Sequence, residues 1–280
     1  MAEGQLDSTR NEQPGLHLRG VPVFMYHGLS CSNAINVPPR EQKYWLRREL
    51  FGQHLNQIRS CGYAVVRLGD LWNEGTATPW RACTAVLTFD DGLESAYEIA
   101  YPLLLEAAVR ADFFVNTAAI GRPGFLSWQQ IGEMQRAGMS FQSHSHDHVY
   151  LTWLAEEALE QQLRRSKQML EDRLAQRVDF LSAPYGELNS RVVRASQQVG
   201  YKAVCSSWSW PARTSSRVVS RVGIDRHTNL REFRRLLTGN PRTYFVRAAR
   251  GCLMYLPKRL VLRFRPSQPP QGYQTSREGK

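Results

Sequence analysis

Seven short apolar runs, at 21–27, 84–89, 111–117, 139–144, 178–183, 201–206 and 217–224, alternate with longer stretches of helical period that include 47–60, 94–109, 127–137, 153–176 and 189–199. Strands separated by helices pair in parallel, because the helix carries the chain back to the end of the sheet from which the previous strand began. The pattern therefore restricts the chain to an α/β architecture, with a parallel sheet closed or nearly closed into a barrel. At 280 residues and 42% hydrophobic content, there is enough apolar surface for one large core. The stretch 153–176 sets Leu159, Leu163, Leu170 and Leu174 on one stripe, with Glu156, Glu157, Arg164, Arg165 and Lys167 elsewhere, and so reads as a helix covering the sheet.

Parallel barrels present their chemistry at the carboxyl ends of their strands. Ala85 to Phe89 is short and rich in strand formers, and it runs directly into Asp90, Asp91 and Gly92, a turn residue. The pleat fades at such a junction, so both carboxylates can face one pocket, one binding a metal while the other moves a proton. Met139 to His144 is a second strand, and it ends in His144-Ser-His-Asp-His148, which holds three of the chain's seven histidines. His144 and His148 are four apart, a spacing that suits two metal ligands on one turn, and His146 reads as a supporting or solvent residue. With Asp91 they make a two-histidine, one-carboxylate set that keeps coordination positions open for water and substrate. A non-haem iron oxygenase uses the same set, but the spare adjacent acid and the barrel order suit hydrolysis better. His27, Tyr185 and His227 also fall at predicted strand ends, on the same rim.

Thr88-Phe-Asp-Asp-Gly92, His144-Ser-His-Asp-His148 and Ala183-Pro-Tyr-Gly186 resemble the first three motifs of the polysaccharide deacetylases, the NodB-homology carbohydrate esterases. Val21-Pro-Val-Phe-Met-Tyr-His27-Gly is similar to the first strand of the branch that deacetylates exopolysaccharides, and the resemblance spans roughly residues 20 to 240. It implies a distorted (β/α)7 barrel in a single domain at 20–240. It further implies hydrolysis of the N-acetyl groups of amino sugars with one divalent metal, Zn2+ foremost, with Co2+, Ni2+ or Fe2+ as alternatives. In that family the first acid is the base, which here is Asp90, and the second acid binds the metal with the two histidines, here Asp91, His144 and His148. The oxyanion is met by the backbone N–H after the third-motif proline, which places Pro184 at the substrate and Tyr185 as the donor.

Two departures accompany the resemblance. Ser182 stands where the best-known members have an arginine that orients the base. The final motif, a histidine that protonates the leaving amine, has no clean counterpart, and His227 and His27 compete for that role. Among the tryptophans, Trp208 and Trp210 lie between serines and a proline on a loop suited to gripping sugar faces, with Trp128 and Trp153 near other strand ends.

Residues 1–19 and 266–280 are polar and rich in Pro, Gln, Gly and Ser, a composition expected to be disordered. The first twenty residues have no apolar core of signal-peptide length, and no run reaches the roughly 18 residues of a membrane span. Five scattered cysteines without a CxxC pair fit reduced thiols. These features predict a cytoplasmic protein. The segment 241–265 has no acid and alternates arginines and lysines with Phe245, Val246, Leu253, Leu256 and Leu260, an amphipathic pattern suited to an anionic membrane surface. The expected partner is then an N-acetylated glycan or a lipid-linked sugar. A net charge of +11 alone does not predict nucleic-acid binding, because no recognition motif accompanies it. A lipid-linked sugar deformylase of the same fold and a non-catalytic glycan binder are the alternatives kept open.

Overall fold

A computed structural model describes residues 18–32, 37–72, 83–213 and 216–251. In chain order the elements are β1 (Val23–Tyr26), β2 (Leu29–Ser30), α1 (Pro39–Gln42), β3 (Leu46–Arg47), α2 (Arg48–Ser60), β4 (Ala64–Val65), α3 (Leu68–Trp72) and β5 (Thr84–Phe89). A π-helical turn (Ala96–Ala100) leads into α4 (Tyr101–Glu106), then β6 (Asp112–Val115), α5 (Trp128–Arg136) and β7 (Ser140–Ser143). A 3-10 turn (Leu151–Trp153) precedes α6 (Glu156–Leu174), β8 (Phe180–Ser182), a second 3-10 turn (Pro184–Gly186), α7 (Ser190–Val199), β9 (Ala203–Cys205), β10 (Val218–Val219), β11 (Val222–Gly223) and α8 (Leu230–Leu237). Residues 241–251 are helical.

The main sheet runs β10-β9-β8-β7-β6-β5-β1-β11, with β4 added beside β5. Every one of its pairings among the described residues is parallel. The two ends of this order, β10 and β11, are consecutive in the chain and separated only by Ser220 and Arg221. Two residues reach no more than roughly 10 Å between their flanking neighbours, so the curled sheet is closed by the chain itself at a seam without ladder bonds. The run 217–224, read from sequence as one strand, is thus two strands and a link. It breaks because its halves belong to opposite edges of the sheet.

Side chains alternate between two cores, as strand geometry requires. Phe24, Leu87, Phe113, Val115, Leu181 and Val204 face the helical layer, where they meet Leu159, Leu163, Leu170 and Phe233. Val23, Val86, Phe114, Phe180, Ala203, Cys205 and Val219 face inward and pack with Leu68 and Leu71 of α3. Val23, Phe180 and Ala203 open their strands, and α3 follows β4, which pairs with the first residues of β5, so α3 plugs the amino end of the barrel. Asp112 fixes the plug by accepting the Leu68 N–H at 2.8 Å. The carboxyl end is left for polar groups.

Local signals explain the element boundaries. Ser127 and Gln130 form a complete capping box on α5, Asn189 caps α7 and Asn229 caps α8. Pro102 has no N–H for the preceding turn, and the helix predicted over 94–109 starts instead as the wider π-helical turn before α4. Helix α8, with Leu230, Phe233, Leu236 and Leu237 in helical register, was absent from the sequence reading. Phe233 is fully buried, 4.7 Å from the Phe24 ring and stacked at 4.0 Å on His54. The four described cysteines are free thiols. Among the described residues no helix is long and apolar enough to cross a membrane. The tails predicted to be disordered fall outside the described residues, except for 18 and 19, and the amphipathic segment is described only as far as 251.

Candidate active site

Asp90 and Asp91 leave β5 on one side of the barrel mouth, and His144 to His148 leave β7 on the other. Asp91 has φ +72° and is followed by Gly92 at φ +70°, two left-handed residues in succession that turn the chain sharply over the rim. The turn brings the Asp91 carboxylate to 3.2 Å from the Nε2 atoms of both His144 and His148. One donor atom from each residue lies within 4.8 Å of the others. Asp91, Ser145, His148 and Tyr185, four of the seven described non-glycine residues with positive φ, surround this point. Backbone strain of order 1–3 kcal/mol per residue is thus concentrated where the donors converge.

The hydrogen bonding fits a cation. His144 Nδ1 lies 2.9 Å from the Ser182 carbonyl, so Nδ1–H donates there and Nε2 carries the lone pair in the neutral ring. Nε2 faces the Asp91 carboxylate at 3.2 Å, so a proton or a metal cation must lie between the two. Burial opposes ionisation of Asp91, but hydrogen bonds from His144 and His148 hold its carboxyl well below the usual range. Two imidazoles and one carboxylate are donors suited to Zn2+ and to neighbouring first-row metals.

Asp90 is held separately. Arg221, from the seam between β10 and β11, is fully buried and reaches both oxygens of Asp90 at 2.7 Å. Its other N–H groups reach Thr88 Oγ1 at 3.2 Å, Ser182 Oγ at 2.7 Å and the Ser206 carbonyl at 3.2 Å. All five guanidinium donors are therefore satisfied. The Ser182 hydroxyl donates in turn to Asp90 Oδ2 at 3.0 Å, and the Thr88 hydroxyl to the Phe24 carbonyl at 3.0 Å. Below the guanidinium lies the Phe114 ring, at 5.1 Å, so Arg221 marks the boundary between the apolar plug and the polar rim. Burial pushes the Asp90 pKa up, while the charge of Arg221, that of His144 and the Arg221 hydrogen bonds bring it below the usual value. Three of about four acceptor positions on Asp90 are occupied, leaving one for a proton.

Arg221 answers the first departure noted from sequence. The guanidinium absent at position 182 enters instead from the β10–β11 seam, two strands from β8, and the Ser182 hydroxyl bonds both it and the acid. Sequence reasoning missed this residue. Its signal was an arginine in register with Val219 and Gly223 on the inward face of an apolar run.

The proton-donor candidates separate. His27, half-buried at the end of β1, has its ring 4.8 Å from Tyr44 and an Nδ1 with no hydrogen-bond partner among the described residues. Burial lowers its pKa, opposed by the charges of Asp91 and Asp90 and reinforced by those of Arg221 and His144. His227 is exposed and lines a different concavity with Leu50, Gln53 and Arg226. It is not brought to the acids, because the chain turns outward after β11 on the Asp225–Thr228 loop. His146 bonds Thr117 Oγ1 at 2.8 Å and stands outside the donor set. Pro184 is buried and Tyr185 exposed, with φ +61°; its ring stacks on Tyr150 at 4.0 Å and meets His148 at 4.8 Å. Trp208 is 60% exposed on the loop after β9. Trp210 packs on Tyr244 and lies two residues before Ala212, which bridges Val21 at the start of β1, so it is carried toward the end opposite the mouth.

The family model for polysaccharide deacetylases matches residues 79–204, which carry the acid pair, the histidine pair and the Pro184 turn. The matched segment is a little under half of the chain, and over it the protein is similar to the polysaccharide deacetylase family. It is 28% identical over 184 residues to YxkH of Bacillus subtilis (strain 168), assigned to the polysaccharide deacetylases, covering 65% of this chain and 62% of that protein. It is 26% identical over 130 residues to poly-β-1,6-N-acetyl-D-glucosamine N-deacetylases of Staphylococcus aureus strains, covering 41% of this chain and 45% of theirs. The matches thus span less than two thirds of these relatives' length. Among solved structures, the Streptococcus pyogenes deacetylase PplD aligns with TM-score 0.68 and 24% identity, over 80% of this chain and 99% of that one. IcaB from Ammonifex degensii aligns with TM-score 0.66 and 22% identity, over 79% and 97%. At these identities the structural likeness is one of fold, and the curled parallel sheet is that of the distorted NodB-type barrel.

Proposed function

We propose that this protein is a metal-dependent hydrolase removing N-acetyl groups from the amino sugars of a polysaccharide or a lipid-linked glycan. The observation that carries the reading is the division of labour at the mouth: Asp91, His144 and His148 converge within 4.8 Å, while Asp90 is held apart by Arg221. The names of the staphylococcal relatives support the substrate class.

A divalent cation held by Asp91, His144 and His148 would supply a Lewis acid and a water of lowered pKa. Asp90 accepts the attacking water's proton at its remaining acceptor position, and Arg221 with Ser182 keeps the carboxylate ionised and aimed. The backbone N–H of Tyr185, on the turn after Pro184, donates to the oxyanion. His27 rather than His227 returns a proton to the leaving amine, since His27 stands beside the acids at the mouth, where the Asp91 and Asp90 charges favour its protonated form. Trp208 contacts the sugar. The working domain is 20–240, and 241–265 draws it to an anionic membrane face. Exposed Arg242, Phe245, Val246 and Arg250 support that last role.

Chelation should abolish acetate release from N-acetylglucosamine oligomers, and added Zn2+ or Co2+ should restore it. Asp90→Asn should lose turnover with metal content nearly unchanged, and Asp91→Asn should lose both. Full turnover by Asp90→Asn would remove Asp90 as the base. Release of formate from N-formylated sugars without release of acetate from their N-acetylated counterparts would favour the deformylase alternative.

A further inference from the structure

His227, set aside as a proton donor, belongs to an open groove of about 650 Å³ lined by Leu50, Gln53, Arg226, Thr228, Asn229, Leu230 and Arg231. The groove is cationic by construction. Of the two acids of its loop and helix, Asp225 is turned into the loop, where it accepts the His227 N–H at 2.9 Å and the Thr228 hydroxyl at 3.1 Å, and Glu232 is paired with Arg247, whose Nε donates to it at 2.7 Å. No acidic side chain lines the groove, and neither Arg226 nor Arg231 has an ion-pair partner among the described residues. Asn229 already caps α8 through the Glu232 N–H, so the cationic character comes from side chains rather than from the helix end. Leu50 and Leu230 give the groove an apolar component beside these charges.

Its place in the fold ties it to the reaction. Strand β11 pairs with β1, and the Ile224 N–H continues that pairing to the Met25 carbonyl at 2.8 Å, so the loop that follows leaves the rim beside His27. The Arg226 N–H bonds the Lys43 carbonyl at 3.0 Å, and the next residue, Tyr44, packs against the His27 ring. The loop is braced from behind by Arg247, which donates to the Gly223 carbonyl and, at 2.7 Å, to Thr228 Oγ1. Through these contacts the groove adjoins Tyr44 and His27 on the flank of the mouth.

We propose that this groove is a subsite for an anionic group, phosphate or carboxylate, carried by the glycan beside the sugar that is deacetylated. The proposal rests on the hydrolase reading only for the identity of the rest of the ligand. Two guanidinium groups lining one groove suit phosphate or carboxylate oxygens, which gain charge-assisted hydrogen bonds that a neutral sugar lacks, and they repel an ammonium. A phosphate source would be a lipid-linked sugar pyrophosphate or a phosphodiester polymer; a carboxylate source would be a uronate-containing polymer.

The test has a binding arm and a turnover arm. Inorganic pyrophosphate and glucuronate are titrated into metal-loaded protein by calorimetry at low and moderate salt, with wild type, Arg226→Glu/Arg231→Glu, and Arg234→Ala as control. Arg234 lies farther along α8 and outside the groove. Saturable, salt-sensitive binding that the double variant weakens about tenfold or more, and the control does not, supports the subsite; the better of the two probes names the source. Absence of binding by both probes, or binding indifferent to the double variant, overturns it. In the second arm, the ratio of kcat/KM on anionic to that on neutral N-acetylglucosamine oligomers should fall in the double variant through KM, with unfolding midpoints matched. An unchanged ratio overturns the link to substrate. Intact anion binding without turnover on any N-acetylated sugar would instead count against the hydrolase reading alone.

Discussion

Removing one partner of a buried, fully hydrogen-bonded ion pair strands the other charge, at a cost of about 3–5 kcal/mol. Arg221→Met should therefore lose stability on that scale in urea titrations and should also change the chemistry. Without the guanidinium the Asp90 pKa rises, so the acid limb of the kcat/KM profile should move to higher pH; a limb that stays in place would leave Arg221 a structural role only. The same logic gives Asp90 a pH-linked part in stability. Its folded pKa is lowered, so its contribution is present above about pH 4 and fades as pH falls. A relocation test is sharper. Ser182→Arg alone should destabilise, because Arg221 already occupies the space, whereas Ser182→Arg with Arg221→Ala should recover part of the stability and turnover lost by Arg221→Ala. No recovery would mean that the side of the barrel from which the guanidinium arrives matters to the reaction.

At the scale of elements, two buried ionisable groups tie helices to the sheet with opposite pH signatures. His54 of α2 lies between the Tyr26 hydroxyl, 3.2 Å from Nδ1, and the Phe233 ring of α8. Burial lowers its pKa to about 3. The unfolded chain, with a histidine pKa near 6.5, binds the proton first, so this group's contribution is full above about pH 6.5 and is lost as pH falls toward 3. His54→Leu should flatten the fall in unfolding midpoint over that range. Asp112, which anchors the α3 plug, is pushed up to about 7 by burial. Its protonated form favours the fold, so its contribution is full below about pH 4 and is lost as pH rises through 7. Asp112→Asn keeps an acceptor for the Leu68 N–H and cannot ionise, so it should raise the unfolding midpoint at pH 8 and not at pH 4. Equal effects at both pH values would show that the carboxyl is not titrating there.

For the whole molecule, closure of the barrel and assembly of the site are one event. The β10–β11 link shuts the sheet, and the same two-residue link delivers Arg221 to Asp90, so folding that fails to close the seam also fails to orient the base. Beyond β11 the chain packs α8 and the helical residues 241–251 against the barrel, with Tyr244 buried and its hydroxyl on the Leu236 carbonyl. Phe245 remains 68% exposed beside Arg242. Phe245→Ser should weaken co-sedimentation with anionic vesicles while leaving the unfolding midpoint unchanged. Co-sedimentation indifferent to anionic lipid would remove the membrane role from 241–265.

The amino-acid pattern alone was enough for the α/β barrel and for the two motifs whose acids and histidines meet at the mouth. Those features are local: period, turn glycines and short spacings fix them within a few residues, and a parallel barrel gathers strand ends wherever they lie in the chain. Only the tertiary structure decided what holds Asp90, because Arg221 is 131 residues away from it and its charge is hidden in an apolar run. It also decided that His27 stands in the field of the acids while His227 looks into another groove, and that Trp210 is drawn away toward Tyr244. Each of those outcomes depends on which strand edges meet and where a loop leaves the rim, distances that no spacing along the chain encodes.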